Sequence, residues 1–103
     1  MNILDIVETW IQSLRSIFES ADVVVHFDRT RDTRPKASAV LNLRYGSVEA
    51  DLVVWESGEA DLSTMEYDGN TKQEHFENLG SSGRLAPVLG RIANLMKLSA
   101  GSE

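Results

Sequence analysis

The chain has no cysteine among its 103 residues, which removes disulfides, zinc ribbons, thiol catalysis and redox sensing together and fits a reducing compartment. Long apolar runs are missing too: nothing approaches the roughly 20 consecutive apolar residues of a membrane helix. The first twenty residues are apolar on one side only and carry Asp5, Glu8 and Glu19, unlike a signal peptide with its basic start and unbroken apolar stretch. The cytoplasm is therefore the expected location. Basic residues are in short supply, with 10 Lys and Arg against 16 Asp and Glu, a formal charge of -6 and a pI near 4.8. This balance argues against nucleic acid or an anionic membrane as the main partner, favours a basic one, and also keeps a small protein soluble. Only two histidines are present, so metal or acid–base chemistry has few places to sit.

What remains is an ordinary globular composition, 42 % apolar and 25 % charged, in one domain spanning 1–103 that is long enough to bury a core without staples. From Ile3 to Phe18, the apolar residues Ile3, Ile6, Val7, Trp10, Ile11, Leu14, Ile17 and Phe18 recur at three- and four-residue steps, the period of a helix with one buried face. Asn2 is its expected cap, Asp5 and Glu8 complement the dipole of its first turns, and Ser20 to Asp22 should end it. Val23 to Phe27 is β-branched and aromatic and reads as a strand buried on at least one face. Asp28 to Pro35 is polar and reads as a loop.

Ala39, Leu41, Leu43 and Tyr45 alternate with Ser38, Val40, Asn42 and Arg44, so the next strand should turn its odd residues to the core. Gly46 and Ser47 make a two-residue turn into a third strand with Val48, Ala50, Leu52 and Val54 inward and Glu49, Asp51, Val53 and Trp55 outward. Glu56 to Glu59 make another turn, and Ala60 to Tyr67 alternate with a slip near Ser63 and Thr64 that suggests a bulge. After a turn at Asp68, Gly69 and Asn70, Lys72 to Phe76 reads as a fifth strand in preference to a short polar helix. Beyond Gly80 to Gly83, Leu85, Val88, Leu89, Ile92, Leu95 and Met96 restore helical spacing up to Leu98. Pro87 requires that this helix begin near Ala86 or that Ser82 cap a distorted first turn. Ala100 to Glu103 is expected to fray. The order of elements gives an α+β two-layer sandwich: an N-terminal helix, a four- or five-stranded antiparallel sheet and a C-terminal helix, with one sheet face left open.

No residue set points to catalysis. His26 lies in a buried-looking strand beside Asp28, a setting for a structural histidine, and His75 has no metal-ligand spacing because its strand neighbours point to the opposite face. Glu49 with Asp51 and Glu59 with Asp61 share a face as a solvated acidic edge. The glycines form no phosphate-cradling loop, and no serine has a nucleophile-elbow context. Arg29, Arg31, Arg34 and Lys36 are the one basic concentration, but Asp28 and Asp32 dilute it and no aromatics interleave for base stacking. No cofactor, metal or catalytic residue is expected, and neither nucleic acid nor membrane is an expected partner.

The residues best suited to a partner are Trp55, Glu56, Glu59, Asp61, Glu66, Tyr67 and Asp68, in an acidic segment opposed only by Lys72. Aromatic side chains supply desolvated anchors and one-signed charges steer a basic protein, although an aromatic residue in such a place is often plain core. The stretch from Val53 to Leu62, with its strand, tryptophan, Ser-Gly turn and acidic strand, resembles the TriTu family of bacterial immunity proteins. The run Ser81, Ser82, Gly83, Arg84, Leu85 leading into a helix is similar as well. The resemblance implies a cytoplasmic α+β protein, with no activity of its own, that neutralises a cognate Rhs-type toxin, in that family an ADP-ribosyltransferase directed at elongation factor Tu. A monomer that forms a one-to-one complex with a toxin domain is then expected. The alternatives are a small acidic secretion chaperone, typically dimeric, and an enzyme using His75 with nearby carboxylates.

Overall fold

The computed structural model describes residues 3–29, 37–66, 68–80 and 82–100, with side chains from 83 to 96 in the last segment. The elements follow as α1 (Ile3–Ser20), β1 (Val24–Arg29), β2 (Ser38–Tyr45), β3 (Val48–Trp55), β4 (Ala60–Met65), β5 (Thr71–Phe76) and α2 (Ser82–Ala100). The strands form one antiparallel meander in sequence order, β1-β2-β3-β4-β5. The expected α+β sandwich is thus present, and Thr71–Phe76 is a strand.

Alternation in the sequence decides which face is covered. Ala39, Leu41 and Leu43 of β2, Val48, Ala50, Leu52 and Val54 of β3, and Ala60 and Leu62 of β4 are buried under Leu4, Val7 and Ile11 of α1 and Leu85, Leu89, Ile92 and Met96 of α2. A fully buried Leu or Ile contributes on the order of 1.5–3 kcal/mol, so this apolar layer fixes the register. A one-residue slip in any central strand would turn its whole set to water.

Local chemistry sets the turns. Gly46 at φ +58, with no positive φ at Ser47, fits the primed two-residue turn in which glycine takes the first central position, and Tyr45 pairs with Val48 across it. The next two hairpins share one design. Gly58 N–H donates to the Trp55 carbonyl and Gly69 N–H to the Glu66 carbonyl, both at 2.9 Å, and the hairpins close through Trp55 N–H to Glu59 and Glu66 N–H to Asn70. Gly58 and Gly69 stand at φ +96 and +88, the left-handed last position of a three-residue loop, which glycine occupies without strain. Helix α1 ends with Val23 N–H on the Phe18 carbonyl at 2.9 Å and Asp22 N–H on the Glu19 carbonyl at 3.1 Å. Asp22 at φ +65 therefore fills the left-handed site of a Schellman cap that glycine normally takes, and buried Val23 closes it against Phe18.

Several boundaries differ from the sequence expectation. β1 runs through Asp28 and Arg29, so the loop begins later. It is also an edge strand whose alternate residues Val24, His26 and Asp28 are exposed, and His26 is not a buried structural histidine. No bulge interrupts β4 at Ser63 and Thr64: the register from Glu49–Met65 to Val54–Ala60 is unbroken. The apparent slip arises because Thr64 occupies an inward position near the end of the strand. α2 begins at Ser82 and continues through Pro87 to Ala100, tolerating in an early turn the loss of one bond to the Gly83 carbonyl. The expected cap at Asn2 and the part of the expected fray over 101–103 lie outside the described residues, as does the side chain of Ser82, while Ala100, expected to fray, is the last residue of α2.

Candidate functional site: an acidic sheet face

Both helices lie on one side, so the outward residues of the strands form a continuous second face. The registers align Asp28, Val40, Val53, Asp61 and His75 in one row across all five strands, and His26, Asn42, Asp51, Ser63 and Gln73 in the next. Val24, Arg44, Glu49, Met65 and Thr71 make the third. Among the described residues of these rows, Asp28, Glu49, Asp51 and Asp61 are the acids and Arg44 the single arginine, so they keep the negative sign of the whole chain. Val40, Val53 and Trp55 are half-buried on this face, and Val40 pairs directly with Val53. An apolar strip therefore runs between acids, the arrangement of an interface with a desolvated centre and a charged rim.

Two polar devices hold the acids. The Asn42 side-chain amide donates to Glu49 at 2.7 Å and to Asp51 at 3.2 Å, which bridges two like-charged carboxylates on one face. Across β4 and β5, His75 Nδ1 lies 2.6 Å from an Asp61 oxygen, and His75 Nε2 lies 3.9 Å from Glu77. The hydrogen bond to Asp61 raises the imidazole above its ordinary value; burial opposes this, and the charges of Asp61, Glu77 and Glu59 add to it. On the helix side, Arg91 of α2 holds Glu74 of β5 through both carboxylate oxygens. That hydrogen bond draws the Glu74 carboxyl below its usual range, with burial acting against it.

The expected partner residues divide into two groups. Trp55, Glu56, Glu59 and Asp61 gather at one end of β4, where Trp55 projects onto the open face and lies outside the buried core. Glu56 is exposed in the turn, and Glu59 accepts a hydrogen bond from the Ser57 hydroxyl at 3.0 Å. Glu66 and Asp68 lie at the other end, about 20 Å away along the strand. Asp68 is engaged in its own turn, accepting from the Asn70 backbone and side chain at 3.0 and 2.8 Å. Tyr67 lies outside the described residues.

The basic loop also divides. Arg29 reaches back across the helix side to Asp5 at 2.7 Å and Glu8 at 2.8 Å, binding β1 to α1, while Arg31, Arg34 and Lys36 lie outside the described residues. Sequence reasoning missed the Asp61–His75 pair by considering His75 with its chain neighbours only. The hairpin from Glu66 to Asn70 carried the signal, since its closure sets Asp61 opposite His75.

Among the described residues no group of three or more His, Cys, Asp or Glu is placed to hold a metal ion, and no helix is long and apolar enough to cross a membrane. The molecule is a two-layer α+β sandwich whose acidic sheet face is covered by no element among the described residues. Neither a family model, nor a curated protein, nor a solved structure matches it.

Proposed function

We propose that this chain is an immunity protein that binds and neutralises a basic toxin domain through its open sheet face. The observation that carries the reading is the row Asp28, Val40, Val53, Asp61, His75 with half-buried Trp55 beside it, apolar contact area set within one-signed charge. Such a surface suits a protein partner: the strip supplies area to desolvate, and the acids steer a cationic surface to it. An inhibitor needs no chemistry of its own, only this complementarity. The likeness of the Val53 to Leu62 hairpin to the TriTu immunity proteins supplies the kind of partner, an Rhs-type ADP-ribosyltransferase domain acting on elongation factor Tu.

The test is co-expression with an Rhs-type ADP-ribosyltransferase toxin domain, taken from a neighbouring gene if one encodes it. Growth should be restored, and the purified pair should run as a one-to-one complex by light scattering. Failure to protect, with the protein folded and abundant, would overturn the reading. A stable dimer of the free protein with α1 in its interface would favour the chaperone alternative.

A further inference from the structure

The sheet ends in two edge strands, β1 and β5, and they differ. β1 is backed by α1, with Arg29 tied to Asp5 and Glu8. Beside β5 an open cleft of about 620 Å³ separates the strand from α2, with Phe76, Leu79, Pro87 and Val88 among its walls. The bond from Glu66 N–H to the Asn70 carbonyl sets the hydrogen-bonded pairs of this ladder at Thr64–Lys72, Leu62–Glu74 and Ala60–Phe76. The backbone N–H and C=O groups of Thr71, Gln73 and His75 therefore point away from β4, and no other described segment bonds to them.

Charge differs between the two sides of this edge. Toward the open face, Glu59, Asp61 and Glu77 surround His75, and toward the helices the cleft offers Phe76, Leu79, Pro87 and Val88 together with Arg84 and Arg91, the latter paired with Glu74. We infer that the partner engages this protein by adding a β-strand antiparallel to β5, its basic residues toward Asp61 and Glu77 and its alternate apolar residues over the cleft between β5 and α2. Main-chain bonds to Thr71, Gln73 and His75 would supply affinity, and the two unlike sides would select an alternating basic–apolar strand and fix its facing. This rests on the proposed binding of a basic protein and specifies how that protein is held.

The register makes the test sharp. Residues directly opposite Thr71, Gln73 and His75 share their face, so in an added strand the basic residues carry the bonding N–H groups and the apolar ones do not. The probe is the capped peptide Lys-Val-Lys-Val-Lys-Val-Lys, titrated at low salt and followed by amide NMR shifts and hydrogen exchange. We expect protection at Thr71, Gln73 and His75. Affinity should fall about tenfold or more when the lysine nitrogens are methylated and stay nearly unchanged when the valine nitrogens are. Gln73→Pro should weaken binding to a similar degree with an unchanged Tm, because the lost N–H faces solvent; if that variant folds poorly, the methylated pair on the native protein still decides. Equal binding of all peptides with shifts centred on Glu49 and Asp51 would overturn strand addition while leaving the acidic-face reading standing. Absence of binding by every peptide would overturn both. Protection of the same amides in the free protein, with the mass of a dimer, would assign the edge to a second copy and overturn the inference.

Discussion

Leu79 donates its backbone N–H to the Gly58 carbonyl at 2.8 Å, pinning the segment that leads into α2 onto the β3–β4 hairpin. A Cβ at Gly58 would lie 3.1 Å from the Gly80 nitrogen, at a φ of +96, whereas one at Gly69, φ +88, would meet nothing within 4 Å. The two positions share the backbone requirement and differ in the close approach.

Gly69→Ala should therefore cost about 1 kcal/mol from the left-handed backbone alone. Gly58→Ala should cost about 2–3 kcal/mol, since the neighbouring backbone must shift as well. Urea unfolding of both variants measures the difference. Equal losses would mean that the contact at Gly80 relaxes freely.

Asp22 offers the reverse case. It stands at φ +65 and places an acid at the negative end of the α1 dipole. Asp22→Gly removes the steric penalty and the charge together, and should raise stability by about 1 kcal/mol. A lower denaturation midpoint in that variant would show that Asp22 makes a compensating contact.

His75 gives the pH dependence its sign. Its pKa is raised above the ordinary 6.5, first by the hydrogen bond that its ring donates to Asp61. The stabilisation is complete below the unfolded value and is lost as pH rises through the higher folded value. Binding of a basic partner runs the other way, because the neutral imidazole leaves the Asp61 charge uncompensated. Affinity should rise about two- to fivefold across the titration and lose that component in His75→Gln, as calorimetry at several pH values would record. Glu74 has the opposite form: its lowered pKa, from Arg91, gives a contribution present above 4.5 that fades as pH falls through the lower folded value.

At the proposed interface, anchor and rim should act on different rates. Trp55→Ala should cost about 2 kcal/mol or more in affinity, mainly through faster dissociation, with little change in Tm because the ring lies outside the core. Reversal of Asp51, Glu59 or Asp61 to Lys should slow association and flatten its salt dependence, and reversal of Glu66 or Asp68 at the far end of β4 should do so less. A large fall in Tm for Trp55→Ala, with association rates untouched by the reversals, would place the interface elsewhere.

Where period and punctuation are strong, the sequence carries the fold. The alternation in Ser38–Trp55 sets Leu41, Leu43, Leu52 and Val54 inward and leaves Glu49, Asp51, Val53 and Trp55 on the open face, as found. Edges are harder to read: β1 has the composition of a buried strand, yet Val24 and His26 are exposed, because they lie on the sheet face opposite the helices and no described residue flanks β1 on its outer side. Pro87 also misleads, since loss of a single bond near the start of a helix is smaller than the gain from burying Leu85, Val88 and Leu89 along one face. The ion pairs Arg29–Asp5, Asp61–His75 and Arg91–Glu74 link different elements, and local spacing holds no trace of them. The register of β4 and β5 brings Asp61 to His75, whereas the packing of α1 and α2 on the sheet brings Asp5 to Arg29 and Arg91 to Glu74.

Each strand of the meander pairs with its neighbour in the chain, and this gives the order of events in folding a physical basis. Closing the Gly46–Ser47 turn or either three-residue loop fixes little chain entropy, whereas joining β1 to β2 closes the longer connection from Arg29 to Ser38. The β2–β5 ribbons are thus favoured to zip early and fast for a β-rich domain, with β1 and α1 docking late. Stabilising changes in α1 or its C-terminal cap, such as the one at Asp22, should then slow unfolding far more than they quicken folding.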